Sequence, residues 1–555
     1  MYSENNISVV INLSDEFDFG DDDNDEVIGR GTWIDKLALE VIERKDKLKG
    51  KHPPIIRCES GLGASGFPHI GSFADASRAY GFKLAIEDLG RESEYIAFAD
   101  DMDGLRKVPA GTPPELDQYL GQPVSTIPDP WGCHESYGRH MASLLIDSLE
   151  TAAIEFTPKS AYQLYTSGAM APMVEKVLKN AQKAGELIEE TTGQEKYLTV
   201  LPYHAICEKC NKIYTTKAIN FDPDNHRVEY ICEGEEIRGK QLEGCQHRGW
   251  SDYTKGEGKL TWKVEFAARW TLLQIDFEAF GKDIYESVMA NDLICEKIFN
   301  YEPPVHARYE MFLDKSGSKI SKSKGNVFTP QTWFRYGSSQ SLALLTYKRM
   351  VGARTLAIDD IPVYMEEMDY LEDVYFGRIK VKNPNQKRKL TGLYEYCWHL
   401  DPPKQRSLHI PYNVLVNLIA VAPEKSREEF LEKQLREYGY LRSGHSLEDI
   451  QDRITYATNW VHDFETIEEV EVDLDPEEKE AVRAFIATIE GADSADEVQS
   501  AVFETARARN MKPGKFFRLL YRILLNTNSG PKLGPYIKTI GIPHTIKVLK
   551  KNLKE

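Results

Sequence analysis

Apolar and polar positions along the chain predict an α/β region followed by an all-helical region. Short apolar runs at 55–57, 95–98 and 274–280 are typical of buried strands, and the segment at about 70–88 has a helical period. From Pro330 onward the apolar spacing is helical. Because strands and helices alternate in the first region, we expect a Rossmann-type, doubly wound parallel sheet there.

A glycine-rich turn joins the first predicted strand to its helix. Residues 61–66 read Gly-Leu-Gly-Ala-Ser-Gly, and residues 68–72 read Pro-His-Ile-Gly-Ser. A strand, such a turn and a helix start bind anions, because N–H groups and the helix dipole favour a phosphate there. His69 can hydrogen-bond phosphate oxygens without adding a fixed charge. The turn predicts contacts with a nucleotide from Ser65, Gly66, His69, Gly71 and Ser72.

A second motif sets two lysines among serines. Residues 319–323 read Lys-Ile-Ser-Lys-Ser and follow an apolar strand predicted at 306–313. A loop of that composition can close Lys319 and Lys322 over a polyphosphate, with Ser321 between them. Each motif alone is short and arises by chance, and a plain solvated loop is the alternative.

Carboxylates follow the other predicted strands. Asp100 and Asp101 come after the second apolar run, and Gly281 and Asp283 come after the third. Ligands of a doubly wound sheet bind at the carboxyl ends of its strands. Asp283 is therefore a candidate for binding ribose hydroxyls. For the charged run that begins at Asp103, a plain loop is equally plausible.

Four of the eight cysteines lie close together in the sequence. Cys207 and Cys210 form a Cys-x2-Cys knuckle, and Cys232 and Cys245 follow. Such thiols are typical of a structural zinc site, but the second pair is separated by 12 residues, where a compact knuckle has two. His247 could replace Cys245 as a ligand. A metal-free knuckle with reduced thiols is the alternative.

Composition and charge narrow the class of protein. A hydrophobic content of 41% and a charged content of 28% are ordinary for a soluble globular chain, and no apolar run has membrane-spanning length. We expect a cytoplasmic protein without a signal peptide, since cysteines are few and no basic segment precedes a long apolar one. The net charge is −18, yet residues 505–555 contain 12 Lys and Arg against one acid. This segment predicts a surface for a polyanion, with a solvated helical face as the alternative.

Together, the motifs at 68–72 and 319–323 resemble the HIGH and KMSKS signatures of class I aminoacyl-tRNA synthetases. Within that class the chain resembles the lysyl-tRNA synthetases of class I type. This resemblance extends from about Trp33 to the end and includes residues 59–71 and 100–107.

Two further segments share the resemblance. Residues 281–283 match the family, and residues 509–535 resemble the anticodon-binding helices of glutamyl-type synthetases. The chain departs from the family pattern at Ala64, Ser72 and Ile284. The last of these positions often holds His, which puts substrate contacts there in doubt.

The resemblance implies two chemical steps. The carboxylate of lysine attacks the α-phosphorus of ATP and expels pyrophosphate, and the 2′-hydroxyl of the terminal tRNA adenosine then takes the acyl group. Catalysis is positioning plus stabilisation of phosphate charge, which we assign to His69, Ser72, Lys319 and Lys322, with Mg²⁺ on the polyphosphate.

The resemblance also implies an amino-acid pocket. Glutamyl-type enzymes carry an arginine where this chain has Glu59, so the reversed sign fits a cationic substrate side chain, and Asp101 could share that role. The alternative is that Glu59 caps the turn or pairs with Arg57. The complete set of predicted substrate contacts is Glu59, Gly61, Gly63, Asp101, Trp262 and Tyr309. For the two aromatic residues, ordinary core packing is equally plausible.

The expected protein is a lysine–tRNA ligase that acts as a monomer on tRNA(Lys), L-lysine and ATP, without a membrane partner. A glutamyl-type synthetase and a catalytically silent tRNA-binding paralogue are the alternatives. The expected parts are an acidic disordered extension (1–30), a first Rossmann half (31–195), a zinc-knuckle-like insertion (196–260), a second Rossmann half with the lysine loop (261–330), a helical connecting domain (331–400) and a helical anticodon-binding domain (401–555).

Overall fold

A computed structural model describes most of the chain. The described residues are 10–11, 27–48, 54–237, 239–310, 312–317, 328–349, 352, 354–464, 472–525 and 530–553. The chain divides into two compact units. The first comprises Met1–Gln331, Leu342–Ala357 and Lys380–Pro402, and the second comprises Thr332–Ser341, Ile358–Ile379 and Pro403–Glu555. The connecting domain predicted at 331–400 is thus distributed over both units.

The first unit contains the strands of the described chain. In order they are β1 (Val10–Ile11), β2 (Ile56–Leu62), β3 (Ser93–Ala99), β4 (Thr157–Ser160), β5 (Tyr203–Ala205), β6 (Thr216–Asp222), β7 (Arg227–Cys232), β8 (Gly234–Ile237), β9 (Lys240–Glu243), β10 (Arg248–Asp252), β11 (Gly258–Leu260), β12 (Phe277–Gly281), β13 (Val305–Tyr309), β14 (Phe312–Leu313) and β15 (Arg354–Thr355). β1 lies within the extension predicted to be disordered, of which residues 1–9 and 12–26 lie outside the described residues.

The central sheet is parallel and has the order β1-β13-β12-β2-β3-β4. From β2 the chain proceeds outward through β3 and β4, and later proceeds outward on the other side through β12 and β13. The order therefore reverses between β2 and β12, which is the topological switch point where doubly wound sheets bind ligands. The parallel sheet confirms the predicted α/β architecture.

Helices surround this sheet and continue into the second unit. In order they are α1 (Trp33–Lys47), α2 (Ile70–Asp88), α3 (Tyr137–Thr151), α4 (Ala161–Thr166), α5 (Ala171–Lys179), α6 (Ala181–Thr192), α7 (Trp262–Leu273), α8 (Tyr285–Ile294), α9 (Pro330–Tyr336), α10 (Ser339–Tyr347), α11 (Ile361–Tyr375), α12 (Pro384–Cys397), α13 (Tyr412–Val421), α14 (Arg427–Glu437), α15 (Gln451–Phe464), α16 (Pro476–Ile489), α17 (Ala495–Ala508), α18 (Pro513–Leu525), α19 (Leu533–Ile540) and α20 (Ile542–Leu553). Among the described residues, no helix is both long and apolar enough to cross a membrane.

The insertion predicted at 196–260 is built from short antiparallel strands. β10, β7 and β6 form a three-stranded sheet, β8 and β9 form a hairpin, and β11 pairs with β5. The insertion begins and ends at this last pair, because β5 enters it and β11 leads directly into α7. The pairing of β5 with β11 therefore holds the insertion at the start of α7.

The second unit is helical, and its last helices are amphipathic. α18 buries its apolar positions, including Phe516 and Leu520, against the rest of the unit. α17 and α19 pack closely, since a Cβ at Gly534 would lie 2.1 Å from the Ala495 carbonyl oxygen. The Lys and Arg side chains described between 505 and 553 are all exposed. Both predicted interpretations of this basic segment, a polyanion surface and a solvated face, require that exposure.

Candidate functional site

The glycine-rich turn after β2 places His69 at the start of α2. His69 is the N-cap residue of α2, and its Nδ1 accepts a hydrogen bond from the Ser72 backbone N–H at 3.1 Å. A ring nitrogen that accepts this bond carries no proton, so neutral His69 has its proton on Nε2. A Cβ at Gly71 would lie 2.9 Å from the imidazole, so only glycine permits this ring position. The turn thus presents an N–H donor at a helix N-terminus, as a phosphate site requires.

The predicted ligand positions meet at one edge of the sheet. In the register of the strands, Leu62 pairs with Ala99, and Gly281 pairs with Tyr309. These residues end their strands, so the glycine-rich turn, the carboxylates after β3 and the Gly281–Asp283 segment all follow carboxyl ends of neighbouring strands. This edge contains the topological switch point and is the candidate site.

A cleft of about 520 Å³ opens beyond the ends of β12 and β13. Its size falls in the range of about 300–1,000 Å³ that is typical of small-molecule sites. The lining residues are Lys263, Lys282, Asp283, Ile284, Tyr285, Glu286, Ser287, Arg308 and Glu310. Asp283, the predicted ribose ligand, is exposed in this cleft, and Ile284 supplies an apolar side chain where the family often has His.

Arg269 of α7 holds three carboxylates near the same edge. Its guanidinium nitrogens lie 2.6 Å from Glu59, 3.3 Å from Asp100 and 3.0 Å from Glu278. Burial raises the pKa of Glu59, although Arg269 opposes this shift. Burial likewise raises the pKa of Asp100 to about 7. One cation is therefore shared by three acids.

Glu59 is fully buried and pairs with Arg269, a partner that the sequence did not predict. Its side chain is 0% exposed, and its ion pair with Arg269 is not aligned as a hydrogen bond. Arg57, the alternative partner considered from the sequence, instead pairs with Glu94 at 2.8 Å. Both oxygens of Glu59 are buried without an aligned hydrogen-bond donor.

The other predicted substrate residues have defined neighbours. Asp101 accepts hydrogen bonds from Ser160 Oγ at 2.6 Å and from the Tyr162 backbone N–H at 2.7 Å, so it also fixes the start of α4. The Tyr309 phenol hydrogen-bonds to Asp75 of α2. Trp262, the first residue of α7, donates its indole N–H to Asp103. Trp262 and Tyr309 are both half-buried, and Trp262 also packs against the hydrophobic core of the first unit. Their contacts with a substrate stay predictions.

Several predicted contacts with nucleotide and substrate stay predictions. Lys319, Ser321 and Lys322 lie outside the described residues. Ser65 is exposed and accepts a hydrogen bond from Tyr137 at 3.2 Å through its carbonyl, whereas Gly66 is buried. Their contacts with a nucleotide remain predictions, as do those of Gly61 and Gly63.

The structure brings the four predicted cysteines together. Their sulfur atoms lie within 4.8 Å of one another, with Cys207 and Cys245 at 3.5 Å and Cys210 and Cys232 at 3.7 Å. A tetrahedral zinc with bonds of about 2.3 Å needs sulfur atoms about 3.8 Å apart, so the cluster fits this ion. His247 instead pairs with Glu208 at 2.6 Å.

The irregular cysteine spacing has a structural reason. Residues 233–244 contain the hairpin β8–β9, whose two ends meet beside Cys232. The Cys232 carbonyl accepts from the Gln246 backbone N–H at 2.9 Å, and a Cβ at Gly244 would lie 2.3 Å from that same carbonyl oxygen. Because the hairpin loops out, Cys245 reaches the cluster despite its distance in sequence.

A second group of metal donors was missed by the sequence reasoning. Asp129, Cys133, His134 and His140 place one donor atom each within 4.8 Å of the others, just before and within the first turn of α3. Cys133 Sγ lies 3.2 Å from Nδ1 of both histidines, and His140 Nδ1 lies 3.3 Å from Asp129. The signal was the spacing Asp-x3-Cys-His-x5-His, which offers oxygen, sulfur and nitrogen donors of the types zinc prefers.

The second donor group lies beside the glycine-rich turn. The Trp131 ring stacks on His140 at 4.3 Å between ring centres and lies 6.3 Å from Phe67. Tyr137, which also stacks on Trp131, donates to the Ser65 carbonyl. The donor group can therefore brace the segment that carries His69.

The doubly wound sheet, the His69 turn at its switch point and the interrupting insertion agree with the architecture of a class I aminoacyl-tRNA synthetase. The family model described as "tRNA synthetases class I (K)" matches residues 31–399, and the chain belongs to this family.

Two relatives named lysine–tRNA ligase agree with this membership. A protein from Cenarchaeum symbiosum (strain A), named lysine–tRNA ligase, is 45% identical over 517 residues, which cover 93% of this chain and 98% of that protein. One of the same name from Rickettsia bellii (strain OSU 85-389) is 31% identical over 542 residues, covering 95% and 99%. Among solved structures, a glutamate tRNA ligase from Elizabethkingia meningosepticum in complex with its amino acid has a TM-score of 0.32 at 12% identity, covering 90% and 99%.

Proposed function

We propose that this protein attaches L-lysine to tRNA(Lys) in an ATP-dependent reaction that passes through lysyl-adenylate. The similarity over 93% of the chain to relatives named lysine–tRNA ligase carries this proposal. The arrangement at the sheet edge is consistent with it, because a phosphate-binding turn lies beside a cluster of buried carboxylates.

In the first step, the lysine carboxylate attacks the α-phosphorus of ATP and pyrophosphate leaves. His69 donates from Nε2 to a phosphate oxygen, and the N-terminus of α2 with Ser72 favours the negative charge. Lys319 and Lys322 of the predicted lysine loop at 319–323 neutralise the departing pyrophosphate. Mg²⁺ would supply further positive charge on the polyphosphate. No protein nucleophile is required, so the chain acts by positioning and electrostatics.

In the second step, the 2′-hydroxyl of the terminal adenosine of the tRNA attacks the carbonyl carbon of lysyl-adenylate. An ester bond forms, the acyl–phosphate bond breaks, and AMP and a proton are released. The exposed basic side chains of α17 to α20 support binding of the polyanionic tRNA by the second unit. Neutralising phosphates releases counterions, so tRNA binding should weaken steeply with salt.

The choice of lysine is supported by the charge balance of the site. The site contains five buried or half-buried carboxylates, those of Glu59, Asp100, Asp103, Glu265 and Glu278. Three cations face them, those of Arg269, Lys259 and Arg106. Counted as fully ionised, these five carboxylates outnumber the three cations, although burial raises the pKa of Glu59, Asp100 and Glu265 and so reduces this excess of negative charge. A lysine ammonium reduces this excess, whereas a glutamate side chain increases it.

Both donor clusters would hold structural zinc. Cys207, Cys210, Cys232 and Cys245 would fix the knuckle, and the group around Asp129 would fix the loop before α3. Elemental analysis of purified protein should find about two zinc ions per chain. A Cys232→Ser variant should lose one of them, and a His140→Ala variant the other; a zinc content of zero, with thermal stability unchanged by a chelator, would reject both sites.

Amino-acid-dependent pyrophosphate exchange in the presence of tRNA tests the function. Exchange with lysine but not glutamate is expected, which separates lysyl from glutamyl activity, and a silent paralogue would give neither. Lys322→Ala should reduce exchange on the order of a hundredfold, because it removes charge that the leaving pyrophosphate needs. Lys255→Ala, an exposed lysine of the insertion, is the matched control and should exchange normally.

A further inference from the structure

Two residues of the charged run after β3 converge on one indole ring. Both carboxylate oxygens of Asp103 accept from Trp262 Nε1, each at 3.1 Å. The Arg106 guanidinium carbon lies 5.4 Å from the centre of the Trp262 ring, within cation–π range. Asp103 thus contacts the edge of the ring and Arg106 contacts its face, so the two together restrain its orientation.

Asp103 is kept ionised by a lysine from the insertion. Lys259 of β11 is almost fully buried, and its Nζ lies 2.7 Å from Asp103 and 2.6 Å from Glu265. Burial by itself disfavours the charged carboxylate, but Lys259 and Arg106 outweigh it and hold the pKa of Asp103 below its ordinary value. Asp103 therefore remains a hydrogen-bond acceptor for the indole near neutral pH.

Arg106 is held in place by the segment that follows the cysteine knuckle. Its Nη2 donates to the Tyr214 hydroxyl at 3.1 Å, and its guanidinium carbon lies 5.1 Å from the centre of the Tyr214 ring. The loop can approach this closely because residue 104 is glycine, where a Cβ would lie 2.7 Å from the Tyr214 ring. Arg106 is thus placed between two aromatic rings, one from the insertion and one from α7.

We propose that Asp103 and Arg106 are positioning residues that set Trp262 as a wall of the amino-acid pocket. Lys259 and Tyr214 connect the insertion to this pocket. The inference rests on the proposed function and on the expectation, implied by the family resemblance, that Trp262 contacts the substrate. It gives the charged run that begins at Asp103 a role beyond that of a plain loop. A ring held at its edge and face presents a fixed surface to the lysine side chain, so less entropy is lost on binding.

The test is a double-mutant cycle read as KM for lysine. Asp103→Asn and Arg106→Gln should each raise that KM about tenfold, since the first removes the charge that strengthens the hydrogen bond to the indole and the second removes the cation–π contact. The KM for ATP should stay within about twofold. Trp262→Phe keeps an aromatic wall but removes the N–H donor. In that background Asp103→Asn should change the lysine KM by no more than about threefold, because the bond it weakens is already absent.

Matched controls separate positioning from general damage. Arg227 stacks on Trp250 at 4.4 Å on the insertion surface, so Arg227→Gln removes the same type of contact elsewhere and should leave the lysine KM unchanged. Asp117→Asn makes the same change as Asp103→Asn at an exposed ion pair with Lys240. If Arg106→Gln folds poorly, Tyr214→Phe removes only the hydroxyl acceptor and should raise the lysine KM about two- to threefold.

The possible outcomes separate a failure of this inference from a failure of the proposed function. Equal effects of Asp103→Asn with Trp262 and with Phe at position 262 would overturn the positioning role. If Trp262→Ala raises the lysine KM but Asp103→Asn and Arg106→Gln do not, the inference fails while the pocket stands. If Trp262→Ala has no effect on the lysine KM, the pocket assignment and the inference fail together, and lysine-dependent pyrophosphate exchange then decides the function by itself.

Discussion

Two networks of buried and half-buried charge, one in each unit, are built in different ways. At the edge of the central sheet, Arg269 is shared by Glu59, Asp100 and Glu278, and Lys259 is shared by two further acids. These groups come from β2, β11, β12, α7 and the segment after β3. Cations are fewer than carboxylates, and each cation is shared.

The network of the second unit is paired almost one to one. Its carboxylates lie on one face of α11, at positions 366, 369, 372 and 373. Arg453 pairs with Asp369, Arg406 pairs with Asp373 at 2.5 Å, and His409 contacts Glu372. Glu366 accepts from the Tyr412 backbone N–H at 2.7 Å rather than from a cation.

The difference indicates which network is built to receive a ligand. A network in which most acids have a basic partner of their own serves mainly to hold segments of the unit together. A network with shared cations and surplus carboxylates retains some unneutralised negative charge, which a cationic substrate can neutralise. Surplus charge at the switch point therefore agrees with the proposed choice of lysine.

Removal of the shared cation should have the largest effect. Arg269→Met leaves three carboxylates without their counter-charge and should lower the free energy of unfolding by about 3–5 kcal/mol. Arg453→Met should cost less, because it leaves one carboxylate, Asp369, without its arginine, and His409 remains 3.6 Å from that carboxylate. Urea unfolding of both variants at pH 8 measures the two losses. Equal losses would contradict the distinction between shared and paired cations.

Glu59→Gln probes the surplus charge at the site. If Glu59 attracts the lysine ammonium, the variant should raise the KM for lysine by one to two orders of magnitude, or about 1.5–3 kcal/mol, and barely change the KM for ATP. Steady-state aminoacylation measures both constants. If Asp101→Asn raises the lysine KM and Glu59→Gln does not, an acid selects lysine but from the neighbouring strand. If neither variant matters, the argument from charge reversal is wrong.

Glu366→Gln probes the one acid of the α11 network without its own cation. Burial raises the pKa of Glu366 from 4.5 to about 7. Between these values the folded protein holds a proton that the unfolded chain releases, so this group makes stability fall as pH rises through that window. Glu366→Gln should therefore stabilise the protein by about 3 kcal/mol at pH 8 and have no effect below pH 4. Greater stabilisation at pH 4 than at pH 8 would reverse the assigned sign.

The smallest expected effect is a pH dependence of lysine binding. The pKa of Asp100 is raised to about 7, chiefly by burial. Asp100 gains a proton as pH falls from 8 to 6, and the lost charge weakens attraction for the ammonium, so the lysine KM should rise roughly threefold to tenfold. Asp100→Asn should remove this dependence, whereas Glu366→Gln, in the other network, should retain it. A pH profile that survives Asp100→Asn would assign the titration to another group.

The sequence was most informative where local patterns determine structure. The helical period over 70–88 predicted α2, and the glycine-rich turn before it predicted a helix N-terminus at the end of β2, since a strand, a turn and a helix start are adjacent in the chain. The acids of α11 also share a face simply because they are spaced by three and four residues. These features depend on neighbours along the chain.

The cysteine cluster was only partly predictable. The ligand types and the first pair could be read directly, but the 12 residues between Cys232 and Cys245 obscured the second pair. Only the β8–β9 hairpin, with its ends brought together, shows why that spacing is compatible with one cluster. The group at Asp129, Cys133, His134 and His140 has a local spacing that could have been recognised, and it was overlooked.

By itself, the sequence determined the α/β class, the phosphate turn, the helical C-terminal region and the synthetase resemblance. Only the tertiary structure decided which charges meet at the site. Glu59 is joined to Arg269, 210 positions later in the chain, and Trp262 to Asp103. Such pairs depend on strand order and on the position of α7, because parallel strands bring together residues from distant segments and no local spacing records which of them become neighbours.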